Sequence, residues 1–215
     1  MDRMNGMGIA AWMDAALAGF DGNILSALHG FAEATGGRLT GIFEAISLAG
    51  EKGAALFLLG IALFAFKKTR RTGVCVLGAV VIGAVFTNVL FKDLVGRARP
   101  FLNSTNARYR DWWIFVGSPA EDGFSFPSGH ATAAMAAMAV LFAKGDKKLS
   151  WLWFVPALLM GISRCYLMVH YPSDVLGGFL AGGVGATLSM VLVKRFYAAF
   201  TPLLARIPGI GTDQA

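Results

Sequence analysis

Residues 73–91 carry no charged side chain and are almost continuously apolar. A stretch of about 20 apolar residues is the length of one helix across the hydrocarbon core of a bilayer. Backbone amides in lipid must find their partners within the segment, and a helix satisfies them. Four more apolar runs follow the same logic, at 53–66, 129–143, 150–163 and 175–193. Hydrophobic residues make up 56% of the 215 and charged residues 15%, against about 25% charged in soluble domains. The charges sit between the runs. The chain therefore reads as an all-α integral membrane protein, a bundle of five transmembrane helices. The run at 53–66 is short, and lengthening it backwards through Ile46, Leu48 and Ala49 puts Glu51 and Lys52 near a headgroup layer.

The net charge of +6 comes from clusters at the ends of the runs. Lys67, Lys68, Arg70 and Arg71 separate the first two spans, Lys144, Lys147 and Lys148 join the third and fourth, and Lys194 and Arg195 close the fifth. Alternating crossings place all three clusters on one side, which the positive-inside rule makes cytoplasmic. The segments 92–127 and 165–174 then share the opposite side. No basic surface with interleaved aromatics suggests nucleic acid. Trp112 and Trp113 suit a membrane interface.

Residues 1–50 carry Asp2, Asp14, Asp21, Glu33 and Glu44 among moderately apolar neighbours. They read as amphipathic helices lying in the interface, with a sixth span as the alternative. Residues 4–20 lack the uninterrupted apolar core of a cleaved signal peptide. The expected organisation is an interfacial segment at 1–50, a transmembrane domain at 51–198 and a cytoplasmic tail at 199–215. Cys75 and Cys165 have neither metal-ligand spacing nor a disulfide framework. Gly178-x-x-x-Gly182 permits close helix approach, and packing inside a monomer is preferred over a dimer contact.

Three polar segments adjoin the spans. In Lys92-Asp93-Leu94-Val95-Gly96-Arg97-Ala98-Arg99-Pro100, Lys92 and Arg99 lie two turns apart and share a face if the helix persists, although Pro100 suggests that it stops nearby. Charges snorkelling from a helix end are the plain alternative. In Phe126-Pro127-Ser128-Gly129-His130, a helix start with free amides makes a cradle for an anion. His130 is otherwise a hydrogen-bonded core residue. The third segment has Ser163-Arg164, His170 and Asp174. His170 and Asp174 share one face if helical, which Pro172 puts in question, and an Arg–Asp pair beside a spectator histidine is the alternative. Taken together the alternatives weaken, because three permanent cations beside a bilayer call for an anionic partner.

The three segments in order resemble the type 2 phosphatidic acid phosphatase superfamily, whose pattern is a Lys seven residues before Arg-Pro, then Pro-Ser-Gly-His, then Ser-Arg with a His seven residues after the Ser and an Asp four beyond. Every position is filled here, over residues 92–174. The resemblance implies a membrane lipid phosphatase in which His170 attacks phosphorus to form a phosphohistidine. Asp174 would hold and activate His170, and His130 would be the general acid. Lys92, Arg99, Ser128, Gly129 and Arg164 would hold the phosphate oxygens. It implies no metal and no cofactor, and a membrane lipid phosphate as partner among bilayer lipids. The expected location is the bacterial inner membrane, with the site on the periplasmic or external side. Undecaprenyl diphosphate and phosphatidylglycerophosphate lead the candidate substrates. Lipid A, phosphatidic acid and phosphoryl transfer to another lipid are the alternatives. The apolar spans argue against the soluble vanadium haloperoxidases of the same superfamily, and a transporter leaves the paired histidines unexplained.

Overall fold

The computed structural model describes residues 8–146 and 148–204. Asp2, Arg3, Lys147 and the part of the expected tail beyond Leu204 lie outside the described residues. Among these the regular structure is helical: α1 Ile9–Ala16, α2 Ala18–Ala34, α3 Thr40–Ala49, α4 Ala54–Ala65, α5 Arg70–Ala84, α6 Lys92–Val95, α7 Arg108–Phe115, α8 Gly129–Lys144, α9 Phe154–Tyr166 and α10 Pro172–Leu204. A π-helical stretch, Val85–Phe91, joins α5 to α6.

The core lies where α5, α8 and α10 meet, with α4 laid on α5 and α9 on α8. Its side chains are small. Ala79, Ala136, Ala137, Ala157 and Ala186 are buried in one cluster with Cys75, Val76 and Val140. Small residues let helix backbones approach closely where lipid offers no hydrophobic drive between helices. Gly178 and Gly182 both serve this packing: a Cβ on Gly182 would stand 2.4 Å from Thr132 O, and one on Gly178 would stand 2.6 Å from Ser128 O. Both glycines are therefore spent on α8. The large apolar side chains point outward instead. Leu58, Val89, Leu180 and Val191 are among many left exposed, as expected of a membrane protein whose solvent is lipid.

By length and composition, two helical stretches among the described residues qualify as spans, Arg70–Leu102 and Pro172–Phe196. A third qualifies if Thr40–Ala49 and Ala54–Ala65 are one broken span. The backward extension of the run at 53–66 is thus bent, by 50°. Gly53 supplies the break with a left-handed φ of 67°, at no Cβ cost. α8 and α9, at 16 and 13 residues, are shorter than the about 20 residues of a straight crossing. Five spans remain an expectation.

The N-terminal helices pack on the bundle. α2 lies against α9 and α10, and α3 against α9. The buried residues of α2 are Asp21, Leu25, His29 and Ala32, one stripe at helical spacing. Trp112 stacks on His29 at 4.7 Å and Trp113 on Phe101 at 4.6 Å.

α5 begins at Arg70 and its continuation reaches Lys92. α8 begins beside His130 and ends at Lys144, and α10 begins beside Asp174 and passes Lys194. Each helix carries a basic cluster at one end and a residue of the three polar segments at the other.

Candidate active site

Ser128 caps α8. Its Oγ accepts the Ala131 amide at 3.4 Å, and its own amide donates to Asp174 O at 3.0 Å. That side chain is fully buried, and the cap uses its oxygen as acceptor only. Gly129 and His130, the first two residues of α8, line a cavity of about 470 Å³ together with Lys92, Arg99 and His170. Residues from all three polar segments therefore meet at one opening.

Lys92 and Arg99 do not share a helical face. The helix ends at Val95, where Gly96 turns left-handed with φ 66°, and residues 96–99 are irregular before Pro100. A chain break, rather than helical phase, brings both cations to the cavity. Arg99 is 1% exposed, and five contacts hold its guanidinium. Nε donates to Gly123 O at 3.0 Å and Nη2 to Asp122 O at 2.6 Å. Nη1 donates to Val169 O at 3.0 Å and lies 3.3 Å from His170 Nε2. Glu121 Oε2 lies 2.9 Å from Nη2.

His170 sits in the turn after α9. The amides of Val169 and His170 both donate to Arg164 O, at 3.2 and 3.3 Å, which satisfies a carbonyl left open at the helix end. Buried Met168 takes φ 57° to close this turn, uncommon for a residue with a Cβ. α10 starts only at Pro172, so His170 and Asp174 are not on one helix face. Their Nδ1 and Oδ2 atoms are 3.7 Å apart, too far for a hydrogen bond. Ser125 lies between: its Oγ donates to Asp174 Oδ2 at 2.5 Å and is 3.5 Å from His170 Nδ1. Asp174 Oδ2 also accepts the Tyr171 amide at 2.9 Å, and Oδ1 accepts from Arg97 Nη1 at 2.7 Å.

Arginine N–H groups only donate. Nε2 of His170 is therefore the acceptor facing Arg99, and the imidazole proton belongs on Nδ1. Burial holds the imidazole well below its ordinary pKa of 6.5, and the cations Arg99 and Arg164 lower it further. Both effects favour the neutral imidazole.

Arg164 lines a second cavity of about 500 Å³, which shares Glu51, Ala120, Glu121 and His130 with the first. Its Nη1 donates to Ser47 and its Nη2 to Glu121, while Nε is buried with no hydrogen-bond partner among the described residues. Glu121 thus bridges Arg99 and Arg164 and lines both cavities. Burial alone would raise its carboxyl, but Arg164 and Arg99 override this and hold it below its ordinary 4.5. Among the described residues no three of His, Cys, Asp or Glu converge as metal ligands.

A sequence profile described as the PAP2 superfamily matches residues 73–198. The chain belongs to the PAP2 superfamily. It is 33% identical over 131 residues to an undecaprenyl-diphosphatase of Sulfolobus acidocaldarius, covering 60% of this chain and 58% of that one. It is 33% identical over 175 residues to an undecaprenyl-diphosphatase of Bacillus subtilis, covering 74% of this chain and 81% of the relative. The fold matches the crystal structure of a transmembrane PAP2-type phosphatidylglycerolphosphate phosphatase from Bacillus subtilis. That match has a TM-score of 0.63 at 27% identity and covers 89% of this chain and 91% of that one.

In this PAP2 chain the three polar segments lie inside the matched region, while Asp14, Asp21, Ser47 and Glu51 lie outside it. Reasoning from spacing missed Arg97, Ser125 and Glu121. Arg97 stood beside Arg99 in the motif as a visible signal, an extra cation with no assigned anion. Ser125 and Glu121 sit in an irregular loop whose path no periodicity reveals.

Proposed function

We propose that this protein is a PAP2 membrane phosphatase that removes a phosphate from a lipid phosphate or lipid diphosphate through a phosphohistidine on His170. The observation that carries this reading is the single cavity in which Lys92, Arg99, Gly129, His130 and His170 meet. The Nε2 lone pair of His170 attacks phosphorus. As the Nε2–P bond forms, the bond from phosphorus to the leaving oxygen breaks, and His130 gives that oxygen its proton. Positive charge spreads over the imidazole, and Asp174 stabilises it across Ser125. Water then attacks phosphorus with His130 taking its proton, the Nε2–P bond breaks, and phosphate departs.

Lys92, Arg99, Arg164, the Ser128 hydroxyl and the Gly129 amide stabilise the charge on the non-bridging oxygens. Glu121 must leave Arg99 and Arg164 for a phosphate to reach both. A phosphate dianion carries more charge than the carboxylate it replaces, and it offers the unpartnered Arg164 Nε an acceptor.

Undecaprenyl diphosphate and phosphatidylglycerophosphate are the leading substrates, supported by the activities in the names of the relatives. Lipid A, phosphatidic acid and transfer to a second lipid are the alternatives. The basic clusters at the far ends of α5, α8 and α10 support a site on the external side of a bacterial inner membrane. Residues 51–198 form the phosphatase domain in this reading, the protein works as a monomer, and water or a lipid is the acceptor without a metal.

The test is phosphate release from both leading lipids by purified protein in EDTA, with an alkaline detergent quench that preserves the N–P bond and traps the phosphoenzyme. Wild type should release phosphate and label on histidine. His170→Ala should do neither while still folded. His130→Ala should slow both formation and breakdown of the intermediate, most for poor leaving groups. Equal release by folded His170→Ala removes it as nucleophile.

A further inference from the structure

Arg97 is a permanent cation, 1% exposed, that the phosphate chemistry does not use. Three carboxylates hold it. Nε donates to Asp14 Oδ1 at 2.8 Å, Nη2 to Asp21 Oδ2 at 2.8 Å and Nη1 to Asp174 Oδ1 at 2.7 Å. Its guanidinium also lies over the Tyr171 ring, with Cζ 3.9 Å from the centroid, and Nη1 donates to Ser173 Oγ at 2.7 Å. Asp21 is 2% exposed and Asp174 is fully buried. Asp21 grips the same turn a second time, since Oδ1 accepts the Ser173 amide at 2.9 Å and Oδ2 the Ser173 hydroxyl at 2.7 Å.

We infer that Asp21 and Asp14, on the N-terminal helices, are positioning residues for the nucleophile, acting through Arg97 on Asp174. This rests on the phosphohistidine reading above. Two physical effects support it. The first is geometric. Arg97 takes Asp174 Oδ1 and so turns Oδ2 toward Ser125 and His170, while Asp21 clamps Ser173 beside it. The second is electrostatic. A lone Arg97 against Asp174 would be a neutral pair, with little pull on a charging imidazole. Three carboxylates against one guanidinium leave the cluster two negative charges in excess. Arg97, Asp21 and Asp174 are buried, where charge interactions are weakly screened, while Asp14 is more exposed and contributes less. The excess favours the cationic imidazole formed during phosphoryl transfer, and the residues that carry it line neither cavity.

A segment outside the matched family region thus completes the nucleophile's surroundings. It also explains why acids occur in otherwise apolar helices. Burying such carboxylates is costly unless they are hydrogen-bonded, and Asp21 and Asp174 each accept from Arg97 and from the turn around Ser173 or Ser125.

The experiment compares wild type, Asp21→Asn and Asp14→Asn as full-length protein in detergent. Phosphoenzyme formation is measured by rapid quench with undecaprenyl diphosphate and with phosphatidylglycerophosphate, and orthovanadate inhibition reports ground-state binding at the phosphate site. Asp21→Asn should slow phosphoenzyme formation by about tenfold or more, with orthovanadate inhibition within about twofold of wild type. Asp14→Asn, whose side chain is 37% exposed, should fold normally and show a smaller loss, about threefold, in the same direction. Asp21→Glu should recover part of the rate lost in Asp21→Asn.

Unchanged rates in folded Asp14→Asn and Asp21→Asn would overturn the inference while leaving the phosphatase reading intact. So would a parallel loss of orthovanadate binding, which marks a general structural defect. If Asp21→Asn fails to fold, Asp14→Asn alone decides. Wild type that labels with none of undecaprenyl diphosphate, phosphatidylglycerophosphate, lipid A and phosphatidic acid overturns the phosphatase reading and this inference with it.

Discussion

Ser125 donates to Asp174 across 2.5 Å and stands between that carboxylate and the Nδ1 edge of His170. The acid–imidazole pair is therefore coupled through a hydroxyl. Ser125→Ala removes the link and leaves Asp174 Oδ2 with the Tyr171 amide as its remaining partner. The expected outcome is a fall in kcat of about tenfold with orthovanadate affinity retained. A kcat within twofold of wild type would make Ser125 a filler.

Glu121 occupies both Arg99 and Arg164 before any phosphate arrives. Glu121→Gln keeps the shape and removes the charge that competes with the substrate. Orthovanadate and inorganic phosphate should inhibit this variant at concentrations roughly five- to tenfold lower, about 1–1.4 kcal/mol of binding. Weaker inhibition would show that the carboxylate organises the arginines rather than obstructing them.

The pH dependence follows from the same electrostatics. His170 is held below its ordinary 6.5, so the nucleophile stays unprotonated into mildly acidic solution. As far as His170 governs it, the acidic limb of kcat/KM should lie below pH 6.5. For stability, the unfolded chain takes up this proton near pH 6.5 while the folded chain resists it. The contribution is complete above 6.5 and is lost as the pH falls below it, with a slope of at most about 1.4 kcal/mol per pH unit. Glu121, held below 4.5, adds a loss of the same sign as the pH falls below 4.5. Thermal unfolding in detergent at pH 7.5, 6 and 5 should show wild type losing stability faster than His170→Gln between 6.5 and 5. Parallel curves would contradict the shifted imidazole.

Gly182 and Gly183 are neighbours with opposite surroundings. A Cβ at Gly182 meets the α8 backbone, whereas at Gly183 it meets nothing within 4 Å. Gly182→Ala should lower stability by about 1–3 kcal/mol. Gly183→Ala should be neutral or stabilising by up to about 1 kcal/mol. Melting temperatures of the two variants in one detergent check both.

Much of the site was readable because its parts are local. Pro127-Ser128-Gly129-His130 announces a helix start, and α8 begins there. Lys92 and Arg99 reach the cavity together without sharing a helical face. Gly96 breaks the helix, and the loop path carries Arg99 back to the cavity. By sequence Asp14 and Asp21 are acids of amphipathic interfacial helices with no visible partner. Their meaning depended on Arg97, which lies far away along the chain.

Chain chemistry alone determined that this protein is helical, apolar on its outside and armed with cations and two histidines near helix ends, because helix formation and lipid compatibility depend on residues a few positions apart. Only the tertiary structure decided that Ser125 joins Asp174 to His170, that Glu121 bridges two arginines and that N-terminal acids hold Arg97. Those are pairings between distant segments. Their strength comes from burial and from angstrom-scale approach, which exist only once the helices have packed.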